Sequence, residues 1–112
     1  MAKVNFVAAR RNIDLSPVAS GGAQWGNVTV EADQIVWFST LSIDKRLIVY
    51  FLRPGSPDPG PQYNSALKTG ALFLPPSEYS KWADLVYSSK TAYVRLETGA
   101  GHAHSVSTHK WW

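Results

Sequence analysis

The sequence predicts a mainly β fold of the α+β class: a small curved sheet or barrel of about six to eight strands, with one helix near residues 77–89. Two observations support this. Residues 34–41 and 46–53 are runs rich in β-branched and aromatic residues, separated by a short polar break. Neither run alternates cleanly between apolar and polar residues, which is typical of strands covered on both faces. We therefore expect the two runs to form a buried central hairpin.

Two strands are expected before the central hairpin. Residues 3–9 alternate between two sets of side chains, and residues 27–32 alternate with Val28, Val30 and Ala32 facing inward. Residues 10–25 give no clear pattern apart from turn signals and a short strand expected around residues 13–15.

A proline-rich segment follows the central hairpin. Residues 54–62 contain four prolines and two glycines, which exclude a helix or an inner strand. We therefore expect a surface loop over residues 54–68, followed by a short strand at residues 70–74. The whole chain, residues 1–112, is expected to form a single domain, because its length is close to the commonest domain size.

The helix is predicted from its first residues and from its apolar spacing. Pro75-Pro76 ends the preceding strand and suits the first turn of a helix. Tyr79, Trp82, Ala83 and Val86 then fall on one helical face, so Trp82 is expected to anchor the core. Residues 91–97 and 102–109 are expected to form a closing hairpin. If the first strand is set aside, this order resembles that of an oligonucleotide/oligosaccharide-binding (OB-like) barrel.

Composition limits the classes of function. The net charge is +3 with a sequence pI near 9.3, and the basic residues are dispersed, so nucleic-acid binding is permitted but not required. The absence of cysteine excludes disulfides and thiolate metal sites. No stretch approaches the roughly 18–20 apolar residues of a membrane span. We expect a cytoplasmic protein with no membrane partner.

The closing hairpin carries a polar cluster if residues 98–101 form its loop. In that register Glu97 lies opposite His102 and Arg95 lies opposite His104, and all four project from the same face as Tyr93. Two histidines and a carboxylate could bind a divalent metal such as zinc, or a histidine oriented by Glu97 could act as a general base. Arg95 with the histidines could instead receive a phosphate or carboxylate. Cross-strand charge pairs on a solvated face explain the same residues.

The leading hypothesis is a small non-enzymatic binding module for single-stranded DNA or RNA, with no cofactor. Single-strand binding uses aromatic rings to stack on bases and nearby cations to contact phosphates. The sequence assigns stacking to Trp37, Tyr50, Tyr93 and Trp111. It assigns phosphate contacts to Lys45, Arg46, Arg53 and Arg95.

Two alternatives from other classes stay open. The first is a homo-oligomeric interaction module anchored by the terminal aromatic residues Trp111 and Trp112, because tryptophan is favoured at interface hot spots. The second is a small metal-binding or His/Glu-dependent enzyme that uses His102, His104 and Glu97. The chain contains no nucleophile elbow, phosphate-binding glycine loop or paired-histidine zinc motif, so an enzyme is the less favoured class.

Overall fold

The structure, a computed structural model, describes residues 3–14, 23–25, 28–99 and 101–110. Within them the chain forms ten strands and one α-helix, which is preceded by a 3₁₀ turn at Pro76–Glu78. The strands are β1 (Lys3–Val7), β2 (Arg10–Asp14), β3 (Ala23–Trp25), β4 (Val28–Val30), β5 (Ala32–Ser39), β6 (Arg46–Leu52), β7 (Gln62–Asn64), β8 (Thr69–Leu74), β9 (Tyr93–Glu97) and β10 (Ser105–Ser107), and the helix is α1 (Tyr79–Tyr87).

The described strands form three sheets. A five-stranded sheet has the order β2-β5-β6-β8-β7, a three-stranded sheet has the order β1-β9-β10, and β3 pairs with β4 alone. All pairs are antiparallel except β6 and β8, which are parallel. The prediction of a small, mainly β domain is confirmed, but the sheets do not close and an OB-like barrel is not confirmed. No helix in the described ranges is long and apolar enough to cross a membrane.

The central hairpin of β5 and β6 is covered on both faces, as the sequence predicts. One face of the five-stranded sheet packs against the three-stranded sheet and α1 around a main core. The other face packs against the β3-β4 hairpin around a smaller core. β6 supplies alternate residues to both: Leu47, Val49 and Phe51 to the main core, and Ile48, Tyr50 and Leu52 to the smaller one.

The helix packs on the main core with the predicted face. Pro75 is extended (φ −70°, ψ 158°), and α1 begins after the 3₁₀ turn. Tyr79 meets Phe51 edge to face, with 5.3 Å between the ring centroids. The ring centroids of Trp82 and Phe38 are 6.1 Å apart. Trp82 is half-buried and packs against the main core, as predicted.

Two short strands were not predicted from the sequence. β7 lies inside the predicted loop at residues 54–68 and pairs antiparallel with β8, with Tyr63 opposite Gly70. The loop proper is therefore shorter than expected and carries the prolines. β3 lies in the region of residues 10–25 that gave no clear pattern, and it pairs with β4.

The register of the closing hairpin differs from the prediction by one residue. Ser105, rather than His104, lies opposite Arg95. Because side chains alternate along a strand, this shift turns His104 from the outer face to the interior, where 6% of its surface is exposed. His102 lies in the loop before β10 with a left-handed backbone (φ 42°). The two histidines therefore do not share a face with Arg95 and Tyr93.

Arg11 ties β2 to the end of α1. Its two terminal guanidinium nitrogens donate hydrogen bonds to the carbonyl oxygens of Leu85 (2.8 Å), Ser88 (3.0 Å) and Lys90 (2.6 Å). The Leu85 carbonyl belongs to the last turn of α1, and the Ser88 and Lys90 carbonyls follow it, where intrahelical donors are missing and the helix dipole is negative. The contact fixes the helix on the sheet edge.

We expect Arg11→Ala to lower the free energy of unfolding by about 2 kcal/mol, because charge-assisted hydrogen bonds to half-buried carbonyls are lost. Arg11→Lys should recover only part of the lost stability. A lysine ammonium group cannot reach three separate carbonyls as the planar guanidinium group does. Urea denaturation at neutral pH measures both changes. Arg10→Ala removes the same charge from the next, exposed position, and an equal loss of stability there would contradict the role of the helix contact.

Candidate ligand pocket

One face of the five-stranded sheet points away from the main core and is called the outer face below. It presents three cross-strand rows of side chains. On β2 and β5, exposed and half-buried residues alternate with those of the main core, so every second residue points to this face. The pairing of β2, β5 and β6 sets the rows. They are Arg10–Ser39–Arg46, Asn12–Trp37–Ile48 and Asp14–Ile35–Tyr50.

A pocket of about 330 Å³ lies over these rows. Such a volume is at the lower end of the roughly 300–1,000 Å³ range of small-molecule sites. Its lining is mainly apolar and aromatic, with one cation and one carboxylate. The lining residues are Asp14, Ile35, Trp37, Ile43, Arg46, Ile48 and Tyr50.

Trp37 is the aromatic side chain of the pocket that is free to stack. It is half-buried, and its ring contacts no other aromatic ring within the described residues. Ile48 lies opposite it on β6. An indole ring that lines a pocket beside an aliphatic side chain is suited to hold a flat, apolar-faced ligand.

Tyr50 forms a fixed wall rather than a free platform. Its ring stacks on Phe73 at a centroid distance of 5.2 Å and an angle of 10°, and Trp25 meets it edge-on at 6.3 Å. Burial raises the pKa of the Tyr50 hydroxyl, while a hydrogen bond with Trp25 and the charge of Arg46 act in the opposite direction. Tyr50 is therefore neutral at physiological pH and rigidly placed.

Arg46 supplies the positive charge of the pocket. Its Nε donates a hydrogen bond to Thr69 Oγ1 (3.3 Å), and Thr69 Oγ1 donates in turn to the carbonyl of Leu67 (3.1 Å). The terminal guanidinium nitrogens have no hydrogen-bond or acidic partner in the part of the chain that the structure describes. They are available for an anion.

The rim of the pocket is the loop between β5 and β6. The hydroxyls of Thr40 and Ser42 donate hydrogen bonds to the Asp44 carboxylate and hold its pKa below the usual value. This network folds the loop so that Ile43 lines the pocket with a left-handed backbone (φ 60°). Such a conformation is strained for a β-branched residue, and strained residues are concentrated at functional sites.

The pocket thus places a half-buried indole near a guanidinium that has no acidic partner among the described residues, and its lining holds no nucleophile–base pair. Comparison with protein-family models, with curated proteins and with solved structures finds no match to this chain.

Three of the residues predicted to bind nucleic acid meet at the pocket: Trp37, Arg46 and Tyr50. Two other predicted cations are engaged by local carboxylates. Lys45 Nζ lies 3.7 Å from Asp44 Oδ2, and Arg53 donates to Asp33 Oδ1 at 2.6 Å, which raises the pKa of Arg53.

Tyr93 and Arg95 lie on the far side of the molecule. They project from the outer face of the three-stranded sheet, whereas Val94 and Leu96 between and beyond them are buried in the main core. Arg95 Nε donates to Asn5 Oδ1 at 3.3 Å. These two residues therefore belong to a surface separate from the pocket. Trp111 lies outside the described residues.

The structure does not bring Glu97, His102 and His104 together as metal ligands. His104 Nδ1 accepts a hydrogen bond from the Glu97 backbone N–H (3.1 Å), and its Nε2 donates to the Gln62 carbonyl (2.8 Å), so neither nitrogen is free. His102 Nδ1 lies 3.0 Å from the Glu97 carbonyl oxygen. Within the described ranges, no three His, Asp or Glu side chains are grouped to hold a metal ion.

Sequence reasoning did not select four of the lining residues: Asp14, Ile35, Ile43 and Ile48. Ile35 and Ile48 belong to the predicted hairpin, and period-two counting from Trp37 and Tyr50 places them on the same face. Asp14 lies in the short strand expected around residues 13–15, which the structure places at β2, but its position opposite Ile35 depended on a strand pairing that the sequence does not specify. No sequence signal marks Ile43, because its place depends on the loop conformation.

Proposed function

We propose that this protein is a non-enzymatic binding module for single-stranded nucleic acid, which holds one nucleobase against Trp37 while Arg46 contacts an adjacent phosphate. The observation that carries the proposal is that one pocket is lined by an indole with no aromatic contact and by a guanidinium with no acidic partner, both within the described residues. Bases present a π-face that stacks on aromatic side chains whatever their identity, and arginine suits phosphate.

The size of the pocket limits the interface. A volume of about 330 Å³ accommodates one base rather than a row of stacked bases. Tyr93 and Arg95, on the opposite side of the core, cannot contact the same nucleotide. The proposed interface is therefore short, and strands of this kind would be met in the cytoplasm, the compartment predicted from the sequence.

We expect Trp37→Ala to weaken the binding of a short oligothymidylate about 5- to 150-fold, the range that corresponds to loss of one base–aromatic stack. The dissociation constant is measured at low salt by fluorescence anisotropy of a labelled oligonucleotide, because the five tryptophans complicate an intrinsic signal. The affinity should fall gently with salt, with a slope of log K against log salt of about −0.7 to −1.4, since one or two phosphates are neutralised.

Tyr87→Ala is the matched control, because it removes an aromatic ring that is 77% exposed on α1, away from the pocket. It should leave the dissociation constant unchanged. Absence of binding by the wild-type protein at low salt, or equal affinities of Trp37→Ala and wild type, would reject the proposal.

A further inference from the structure

Two arginines flank one serine at the end of the pocket. Arg10 and Arg46 both lie opposite Ser39, on its two neighbouring strands, so all three side chains share the outer face. Neighbouring strands are about 4.8 Å apart, which places the two arginine Cα atoms about 10 Å from each other. Two arginine side chains can close on one anion across that distance.

Each arginine is held by its Nε and leaves its terminal nitrogens unused. Arg10 Nε donates to the Leu41 carbonyl (2.9 Å), and Arg46 Nε donates to Thr69 Oγ1 (3.3 Å). No acidic side chain pairs with either guanidinium within the described residues. Because these hydrogen bonds already restrict the two side chains, less conformational entropy is lost when the guanidinium groups bind an anion.

Other donors beside them also lack partners. The side-chain amide of Asn12, next to Trp37 in the middle row, makes no hydrogen bond in the part of the chain that is described. Ser39 is fully buried, and its hydroxyl is the buried side-chain polar atom of the described chain that has no partner. Asn12 and Ser39 each carry an acceptor as well as a donor, whereas the two guanidinium groups carry donors only. The excess of donors at this end of the face therefore comes from the arginines, and it favours an anionic ligand with several oxygens.

We infer that Arg10 and Arg46, assisted by Asn12, form a phosphate subsite, so that the pocket recognises a nucleoside monophosphate unit with its base on Trp37 and its phosphate between the arginines. This inference rests on the proposed function. Successive rows are two residues apart along a strand, or about 6.8 Å. That spacing suits a sugar linking the base in one row to the phosphate in the next.

The test compares three probes: an oligothymidylate, the same oligomer with an uncharged methylphosphonate backbone, and free thymidine monophosphate as competitor. Wild type should bind the charged oligomer about tenfold or more tightly than the uncharged one at low salt. Arg10→Met or Arg46→Met should abolish that preference and leave the affinity for the uncharged oligomer within about twofold. Arg95→Met, on the opposite sheet, should preserve the preference.

Equal affinities for the charged and uncharged oligomers, or a preference that persists in both pocket variants, would overturn the phosphate subsite while the stacking proposal stands. Failure of both oligomers to bind would overturn the proposed function and the subsite together. Displacement of the oligomer by thymidine monophosphate identifies the free nucleotide as a ligand. Lack of displacement, with the charge preference intact, identifies the unit as part of a strand.

Discussion

Gly70→Ala is expected to lower the free energy of unfolding by about 2–3 kcal/mol, because the added methyl group has no space. A Cβ at Gly70 would lie 2.8 Å from His104 Nε2 and 2.9 Å from Cδ2 of the same ring. It would also lie 2.9 Å from Leu96 Cδ2. The imidazole cannot yield easily, since hydrogen bonds hold both of its nitrogens. Gly70 is therefore needed for the space that it leaves open.

The double variant Gly70→Ala/His104→Ala tests this explanation. Removing the imidazole makes room for the new methyl group, so the two substitutions should be coupled, and the Gly70→Ala change should cost about 1–2 kcal/mol less in the His104→Ala background. The contact with Leu96 remains and keeps the rescue partial. Guanidinium denaturation of the wild type and the three variants at pH 7.5 gives the coupling energy.

Gly99→Ala is the control for the loss of a glycine. A Cβ there meets no atom within 4 Å, and the backbone conformation needs no glycine. Its stability should stay within about 0.5 kcal/mol of wild type, as for other open surface positions. If Gly70→Ala proves as stable as Gly99→Ala, the close packing of His104 on β8 is refuted.

Elements with a strong local pattern could be predicted from the sequence. The central hairpin was identifiable because β6 contributes apolar residues to two cores, which removes the usual alternation. The helix was identifiable because Tyr79, Trp82 and Val86 share one face after a proline start. β3 and β7 have three residues each, too few for any period to show.

The register of β9 and β10 could not be predicted, because it depends on how the loop closes. A hydrogen bond from His102 N–H to the Gly99 carbonyl (3.3 Å) and the left-handed conformation of His102 lengthen the turn by one residue relative to the prediction. That single residue exchanges the faces of His104 and Ser105. The predicted metal and acid–base cluster depended on this register, whereas the pocket residues depended on the robust central hairpin.

The ion pairs made by residues that the sequence assigned to phosphate contacts could not be predicted either. Arg53 lies just after β6, and Asp33 lies at an irregularity in the pairing of β5 with β6. A sequence reading that identifies both strands cannot anticipate this irregularity, because it has no period of its own. Arg46, within the regular part of β6, lines the pocket with Trp37 and Tyr50.

His104 should make the stability of the protein depend on pH in the mildly acidic range. The Glu97 N–H donates to Nδ1, so Nδ1 carries no proton, and Nε2 carries the hydrogen that is donated to Gln62. Protonation would place a second hydrogen against the Glu97 N–H. Burial lowers the pKa of His104 below 6.5, its ordinary value; the nearby His102 also lowers it, and the Gln62 carbonyl and Glu97 oppose the shift.

The direction in which stability changes with pH follows from the number of protons bound by the folded and unfolded states. Below pH 6.5 the unfolded chain takes up a proton at His104 while the folded protein still excludes it, because its pKa is lower. The stabilisation by neutral His104 is thus complete above pH 6.5 and is lost as the pH falls through that value toward the folded pKa. His104→Ala removes this dependence along with the hydrogen bonds.

We therefore expect His104→Ala to be about 2–4 kcal/mol less stable than wild type at pH 7.5, since two backbone groups lose their partner and a cavity is left. The gap should narrow as the pH falls below 6.5, because wild type loses stability through His104 and the variant lacks that group. Urea denaturation of both proteins at half-unit intervals between pH 7.5 and 5 measures this difference in the free energy of unfolding. Stability curves that run parallel over this range would show that His104 does not titrate as its buried, doubly hydrogen-bonded ring requires.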